Sequence, residues 1–150
     1  MDYSKAFQDQ QSNIELLDRL TVWLDEGIAE EPTHLFDSAI SVRTPGGEAQ
    51  GFEAAVAQAR RTHAAGEVNQ HLATNPVVTV EGDAAKLRAN FMVAFGPLDM
   101  KGPARTMGGL YELATVRTAA GWRIRSLAVK PLWRAGDWGQ ARVTPEHSAA

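Results

Sequence analysis

Residues 67–95, EVNQHLATNPVVTVEGDAAKLRANFMVAF, decide the fold. They hold two runs of alternating side chains, separated by Glu81-Gly82-Asp83, a short turn sequence. Alternation on both sides of such a turn reads as a β-hairpin. In the second run Leu87, Ala89, Phe91, Val93 and Phe95 share one side, and Lys86, Arg88, Asn90 and Met92 share the other. That strand therefore has one buried face. The first run is less simple. Val68, Leu72, Val78 and Val80 have one parity, and Asn69, His71, Ala73 and Asn75 the other. Simple alternation puts His71 opposite the apolar face, which could be solvent, a dimer face or the wall of a polar-accented cavity. Pro76 is a candidate bulge, which would switch the parity midway.

Working outward, RTMGGLYELATVRT (105–118) and GWRIRSLAVKPLW (121–133) read as two more strands joined by a tight turn. The loop GPLDMKGPA connects them to the hairpin. Gly108 and Gly109 inside a strand point to a bulge, a close backbone approach or a sharp bend of the sheet, with the bend favoured. Upstream the period changes. Ser12 or Asn13 can cap a helix in which Ile14, Leu17, Leu20 and Leu24 recur at helical spacing, with Leu16 and Trp23 widening the stripe and Gly27 as a stop. Pro32 can open a short second helix holding Leu35 and Phe36. AISVRT reads as a strand, PGG as its turn and EAQG as a short return. A helix from Phe52 to about His63 places Phe52, Val56, Ala59 and His63 on one face. Helices first and antiparallel strands after them predict an α+β fold, with helices on one side of a strongly bent sheet.

A chain of 150 residues fits one domain. With 44% hydrophobic and 22% charged residues it is composed like an ordinary globular protein. A net charge of −3 gives no general attraction to nucleic acid or anionic lipid. The arginines at Arg60, Arg61, Arg123 and Arg125 read as solvated faces rather than a phosphate site. There is no cysteine, which removes disulfides, thiolate metal ligands and cysteine nucleophiles and fits a reducing cytoplasm. No secretory signal is visible at the start, and no apolar run approaches the roughly 20 residues that span a bilayer. The expected organisation is a flexible segment over 1–11, one domain over 12–138 and a flexible tail over 139–150.

The leading helix ending WLDEG, the block LFDSAISVRTPGGEAQGFEAAVAQAR, the run NQHLATNPVVTVEGDAAKLRANF and the closing GWRIRSLAVKPLW occur in an order that resembles the SnoaL-like branch of the nuclear transport factor two-like superfamily. The resemblance implies a cone-shaped roll. A strongly curved, mostly antiparallel sheet would wrap a pocket and pack against about three N-terminal helices, with homodimers formed through the outer sheet face. Within the superfamily the chain is also similar to the scytalone dehydratases, in the Gln70-His71 pair and in Lys130-Pro131 followed by Trp133 and Gly136. That likeness implies a strand histidine, His71, paired with an aspartate closing the first helix, Asp25. The tyrosine that precedes the aspartate in those enzymes is Leu24 here, and SAISVRT lacks a second expected tyrosine.

Two readings of His71 follow. It is a structural histidine held by one hydrogen bond, or a general acid/base whose tautomer is fixed by the Asp25 carboxylate. Asp37 is the rival carboxylate, more typical of a turn former. Trp23, Phe91, Met107, Tyr111 and Trp133 are candidate substrate-binding walls, though core packing is the favoured reading of each. Asn90 and Arg88 could offer polar contacts or lie on the surface. His34, His63 and His71 have no spacing that supports a metal site, so no metal or other cofactor is expected. The expected function is a cofactor-independent isomerase, cyclase or dehydratase. It would act on a small apolar oxygenated ligand of polyketide or terpenoid type in an apolar pocket, with no nucleic-acid or membrane partner. The alternative is a non-catalytic ligand-binding or dimerisation module of the same fold.

Overall fold

A computed structural model describes residues 3–63, 66–99, 101–103 and 105–139. Among them, helix α1 (Tyr3–Glu26) is followed by β1 (Phe36–Thr44), β2 (Gly47–Gln50), α2 (Phe52–Thr62), β3 (Glu67–Glu81), β4 (Ala84–Pro97), β5 (Arg105–Thr118) and β6 (Gly121–Gly136). The strands form one sheet in the order β2-β1-β6-β5-β4-β3, and only β1 and β6 run parallel. The fold is α+β, with two helices against a mixed sheet that curls without closing.

The hairpin settles the parity question. Asn69, His71 and Ala73 pair with Phe95, Val93 and Phe91, the buried row of β4, so they share its concave face. Val68 and Leu72 point to the convex side and are about half exposed. At Asn75 the backbone turns left-handed (φ 55°) and the register slips between Thr74 and Val77. Beyond that bulge Val78 and Val80 pair with Leu87 and Ala85 on the concave face. The switch at Pro76 lets one strand present His71 and the later valines to the same side.

Two expected elements differ. α1 begins at Tyr3, well before Ser12 and Asn13. Asn13 is not a cap: its buried side chain donates to Asp9 O (2.9 Å) and accepts from Thr115 Oγ1 on β5. Asp9 in turn accepts from both terminal guanidinium nitrogens of Arg117 at 2.8 Å. Polar partners on the sheet thus hold a first half of the helix that lacks an apolar stripe. The short helix at Pro32 is only a turn. The Leu35 and Phe36 amides both donate to Pro32 O, and Leu35 O accepts from the Ile124 amide, so pairing with β6 starts at once. Among the described residues two helices, not three, cover the sheet.

The core lies between α1 and the concave face. Leu16, Leu17, Leu20, Trp23 and Leu24 meet Ile40, Leu87, Ala89, Leu113 and Ile124, all buried. At roughly 1.5–3 kcal/mol for each large aliphatic side chain buried, this stripe is what docks α1. Gly109 and Gly108 mark a bulge with close approach. The β5–β6 register slips there, and the Trp133 ring and the Lys130 carbonyl occupy the space side chains would need. Of the expected tail, residues 140–150 lie outside the described residues. The expected flexible segment 1–11 is helical from Tyr3 onward.

Candidate active site

The C-terminal end of α1 meets β3. Asp25 is on the last turn of the helix, where the Gly27 amide donates to Trp23 O and ends it. The loop beyond is pinned by Arg60, whose guanidinium donates to the carbonyls of Ile28, Ala29 and Glu30 and to the Glu31 carboxylate. Asn69 Nδ2 donates to Leu24 O (2.9 Å) and to Asp25 Oδ1 (2.8 Å), tying strand to helix. The His71 amide donates to Asp25 Oδ2 (2.8 Å), and the His71 ring approaches Asp25 Oδ1 through Nδ1 at 2.6 Å.

Sequence neighbours on β3 therefore supply three donors to one carboxylate. Burial pushes the Asp25 carboxyl up, but the bonds from the His71 ring and amide and from Asn69 outweigh it, and the acid is held below its ordinary value. An ionised carboxylate only accepts, so His71 Nδ1 carries the proton of this bond. In the neutral form of the ring Nε2 is then the lone-pair nitrogen, and among the described residues no side chain or backbone group bonds it. The His71 side chain is 4% exposed and that of Asp25 17%.

Around His71 the wall is aromatic. Its ring centroid lies 5.2 Å from His63, at the end of α2, and 6.4 Å from Phe95. Phe95 also meets Trp138 edge-on at 5.9 Å and carries the Arg105 guanidinium 4.6 Å above its ring. Arg105 is fixed by paired 2.7 Å bonds to Glu67. Met107 pairs with Val93 and so joins the same concave face.

The other expected site residues divide by face. Tyr111 is on the concave side but 2% exposed and stacked on Phe91 at 4.5 Å; burial and the Asp25 charge push its hydroxyl far up, so it does not exchange protons near neutrality. Trp23 belongs to the core, packed edge-on to Phe36, with its indole N–H donated to Glu30 O. Asn90 and Trp133 line a shallow groove on the convex face with Leu72, Met92 and Leu132, across the sheet from His71. The structure thus brings together His71 and Asp25, puts Met107 two strands away on the same face, leaves Trp23 and Tyr111 in packing, and sets Asn90 and Trp133 apart. Arg88 is exposed, also on the convex side. Asp37 accepts from the Ala39 amide (3.0 Å) and Arg125 (2.7 Å), away from the imidazole. Among the described residues no three histidine, aspartate or glutamate side chains gather in a way that could hold a metal.

The sequence profile of the SnoaL-like domain matches residues 8–128, most of the chain. The protein belongs to the SnoaL-like domain family. No curated protein matches it significantly in sequence. Solved structures share the fold at low identity. A candidate scytalone dehydratase of Novosphingobium aromaticivorans superposes with a TM-score of 0.79 at 14% identity, over 97% of this chain and 98% of that one. A hexachlorocyclohexane dehydrochlorinase, LinA type 2, gives 0.75 at 14% identity, over 95% and 97%. A nuclear transport factor 2-like protein of Salmonella enterica gives 0.72 at 17% identity, over 95% and 99%.

In this SnoaL-like chain the residues missed by the sequence reading are Asn69, His63, Phe95 and Arg105. Asn69 was within reach, since it shares the parity of His71 two residues away. His63 sat on the apolar face of its helix, which pointed it inward, but its meeting with His71 depends on how α2 crosses the sheet.

Proposed function

We propose that this SnoaL-like protein is a cofactor-independent acid/base enzyme, in which His71 Nε2 removes a proton from carbon and Asp25 holds the ring for the task. The observation that carries this reading is the 2.6 Å bond between His71 Nδ1 and Asp25 Oδ1 beneath a nearly buried imidazole. A carboxylate with three donors cannot turn away, so the ring is fixed before a ligand arrives, and preorganisation lowers the cost of reaching the transition state. A positioned base of this kind contributes roughly 10²–10⁴-fold to rate.

The substrate class is a small, largely apolar molecule with an activated C–H, beside a carbonyl or next to a leaving group. From the carbanion or enolate, return of the proton from the imidazolium to another carbon gives isomerisation. Loss of the adjacent group with its bonding electrons gives elimination. The likeness in fold to proteins described as a scytalone dehydratase and as a dehydrochlorinase supports a lyase or isomerase over a hydrolase. Leu24, buried beside Asp25, supports the other reading, a binding module, because it supplies no second polar group next to the His71–Asp25 pair. The convex face, with Val68, Leu72, Met92, Leu132 and Trp133 exposed, is the proposed seam of a homodimer.

The test is deuterium wash-in from D₂O into a panel of small cyclic ketones, followed by NMR. The wild-type protein should catalyse exchange at one carbon of at least one ketone. His71→Ala should abolish it while leaving ligand affinity nearly unchanged, and Asp25→Asn should slow it by roughly 10²-fold or more. Binding without exchange in the wild type would favour the non-catalytic module.

A further inference from the structure

A second imidazole stands beside the first. His63 Nδ1 lies 2.9 Å from Ala59 O, and a carbonyl only accepts, so Nδ1 bears the proton and Nε2 is the lone-pair nitrogen. Burial lowers the basicity of His63 and outweighs the opposing pull of the Ala59 carbonyl and the Asp25 charge, so near neutral pH the ring is uncharged. Its Nε2 is buried and has no hydrogen-bond partner. Such an atom forfeits roughly 1–3 kcal/mol and is rare enough in folded proteins to need a cause. The cause is not a lack of alternatives in the sequence: this position ends a helix, where an apolar residue would pack against Phe95, 5.8 Å away, without that cost. The His63 and His71 rings are 5.2 Å apart, so two acceptor nitrogens belong to one aromatic-walled corner.

We infer that His63 is a substrate-binding residue whose Nε2 accepts a hydrogen bond from a hydroxyl of the ligand, so that the natural substrate carries an O–H close to the carbon that His71 deprotonates. This rests on the reading of the corner beside His71 as a ligand site. It narrows the substrate from any apolar carbonyl compound to hydroxylated ones, phenols or hydroxyketones. A hydroxyl donated to His63 regains the lost bond, whereas a ligand with an ether or methyl at that place leaves it unmade. Neutrality of His63 matters here, because an imidazolium would present a donor and reverse the preference. Among relatives of similar shape, a hydrogen-bonding demand of this type discriminates more sharply than pocket size does.

Phenol and anisole differ in this one respect and serve as probes, titrated by NMR. Phenol should bind roughly three- to tenfold more tightly than anisole. His63→Phe should erase that preference, His63→Gln, which retains an acceptor, should keep part of it, and His71→Ala should keep it. In the wild type the His63 Nε2 resonance should move with phenol and stay with anisole, a readout that needs no variant to fold. Equal affinities, binding of neither probe, a stationary His63 Nε2, or loss of the preference only in His71→Ala would each overturn the inference. The comparison measures binding alone, so failure of the deuterium experiment would leave this result standing, and the reverse.

Discussion

At the scale of single residues, the arrangement depends on which nitrogen of each histidine carries a proton. Asp25 fixes His71 from one side, and Ala59 O fixes His63. The lowered basicity of His63 has a consequence for stability. The unfolded chain binds a proton at this residue below about pH 6.5, while the folded chain does not until a lower pH. Over that window the unfolded state holds more protons, so stability rises with pH and falls on acidification. Between about pH 7.5 and about pH 5.5 the urea midpoint of the wild type should drop more than that of His63→Phe. Equal drops would mean that residue 63 titrates alike in both states. This pairing was only partly legible in the sequence. His71 and Asp25 came from a family likeness, because forty-odd intervening residues give no geometric hint of contact. Alternation even set His71 opposite the apolar face, with Pro76 only a candidate bulge, and the slip between Thr74 and Val77 shows why.

At the scale of elements, strand length and turn chemistry were plain: the four long strands, the β1–β2 return and α2 all fall where period and punctuation put them. What failed were helix ends. The turn at Pro32 is too short to bury a face, and the early start of α1 is fixed by Asp9 and Asn13 meeting Arg117 and Thr115, contacts about a hundred residues away in sequence. The glycine pair in β5 supplies a sharper test. A side chain on Gly109 would overlap the Lys130 carbonyl, which is backbone and cannot retreat. One on Gly108 would meet the half-exposed Trp133 ring, which can swing outward. Gly109→Ala should therefore destabilise by about 1–3 kcal/mol and Gly108→Ala by less, by chemical denaturation. The reverse order would place the bulge elsewhere.

At the scale of the whole molecule, four carboxylates join distant parts of the chain and all are held below their ordinary values. Arg117 does this for Asp9 and Arg105 for Glu67. For Asp25 and Asp37, burial works the other way but is outweighed by donors, from His71 and Asn69 in one case and from the Ala39 amide and Arg125 in the other. A depressed carboxylate contributes stability above its unfolded pKa that disappears as pH falls through the folded value. A second loss of stability, steeper than that from His63, should begin below about pH 4, with α1 and β3 separating as Asp25 is protonated. A urea midpoint unchanged down to about pH 2 would contradict this. Fold class needed only the order of patterns along the chain. The meeting of Asp25, His71 and His63 needed the curl of the sheet and the crossing of two helices, which no local pattern encodes.

The central claim is that Asp25 holds His71 as a fixed tautomer with its basic nitrogen free. Long-range ¹H–¹⁵N NMR of the histidine rings reads this without a substrate. In the wild type near neutral pH, the neutral form of His71 should show a protonated Nδ1 and a bare Nε2, and Asp25→Asn should abolish that bias. A His71 protonated at Nε2, or rings indifferent to the loss of the Asp25 charge, would contradict it.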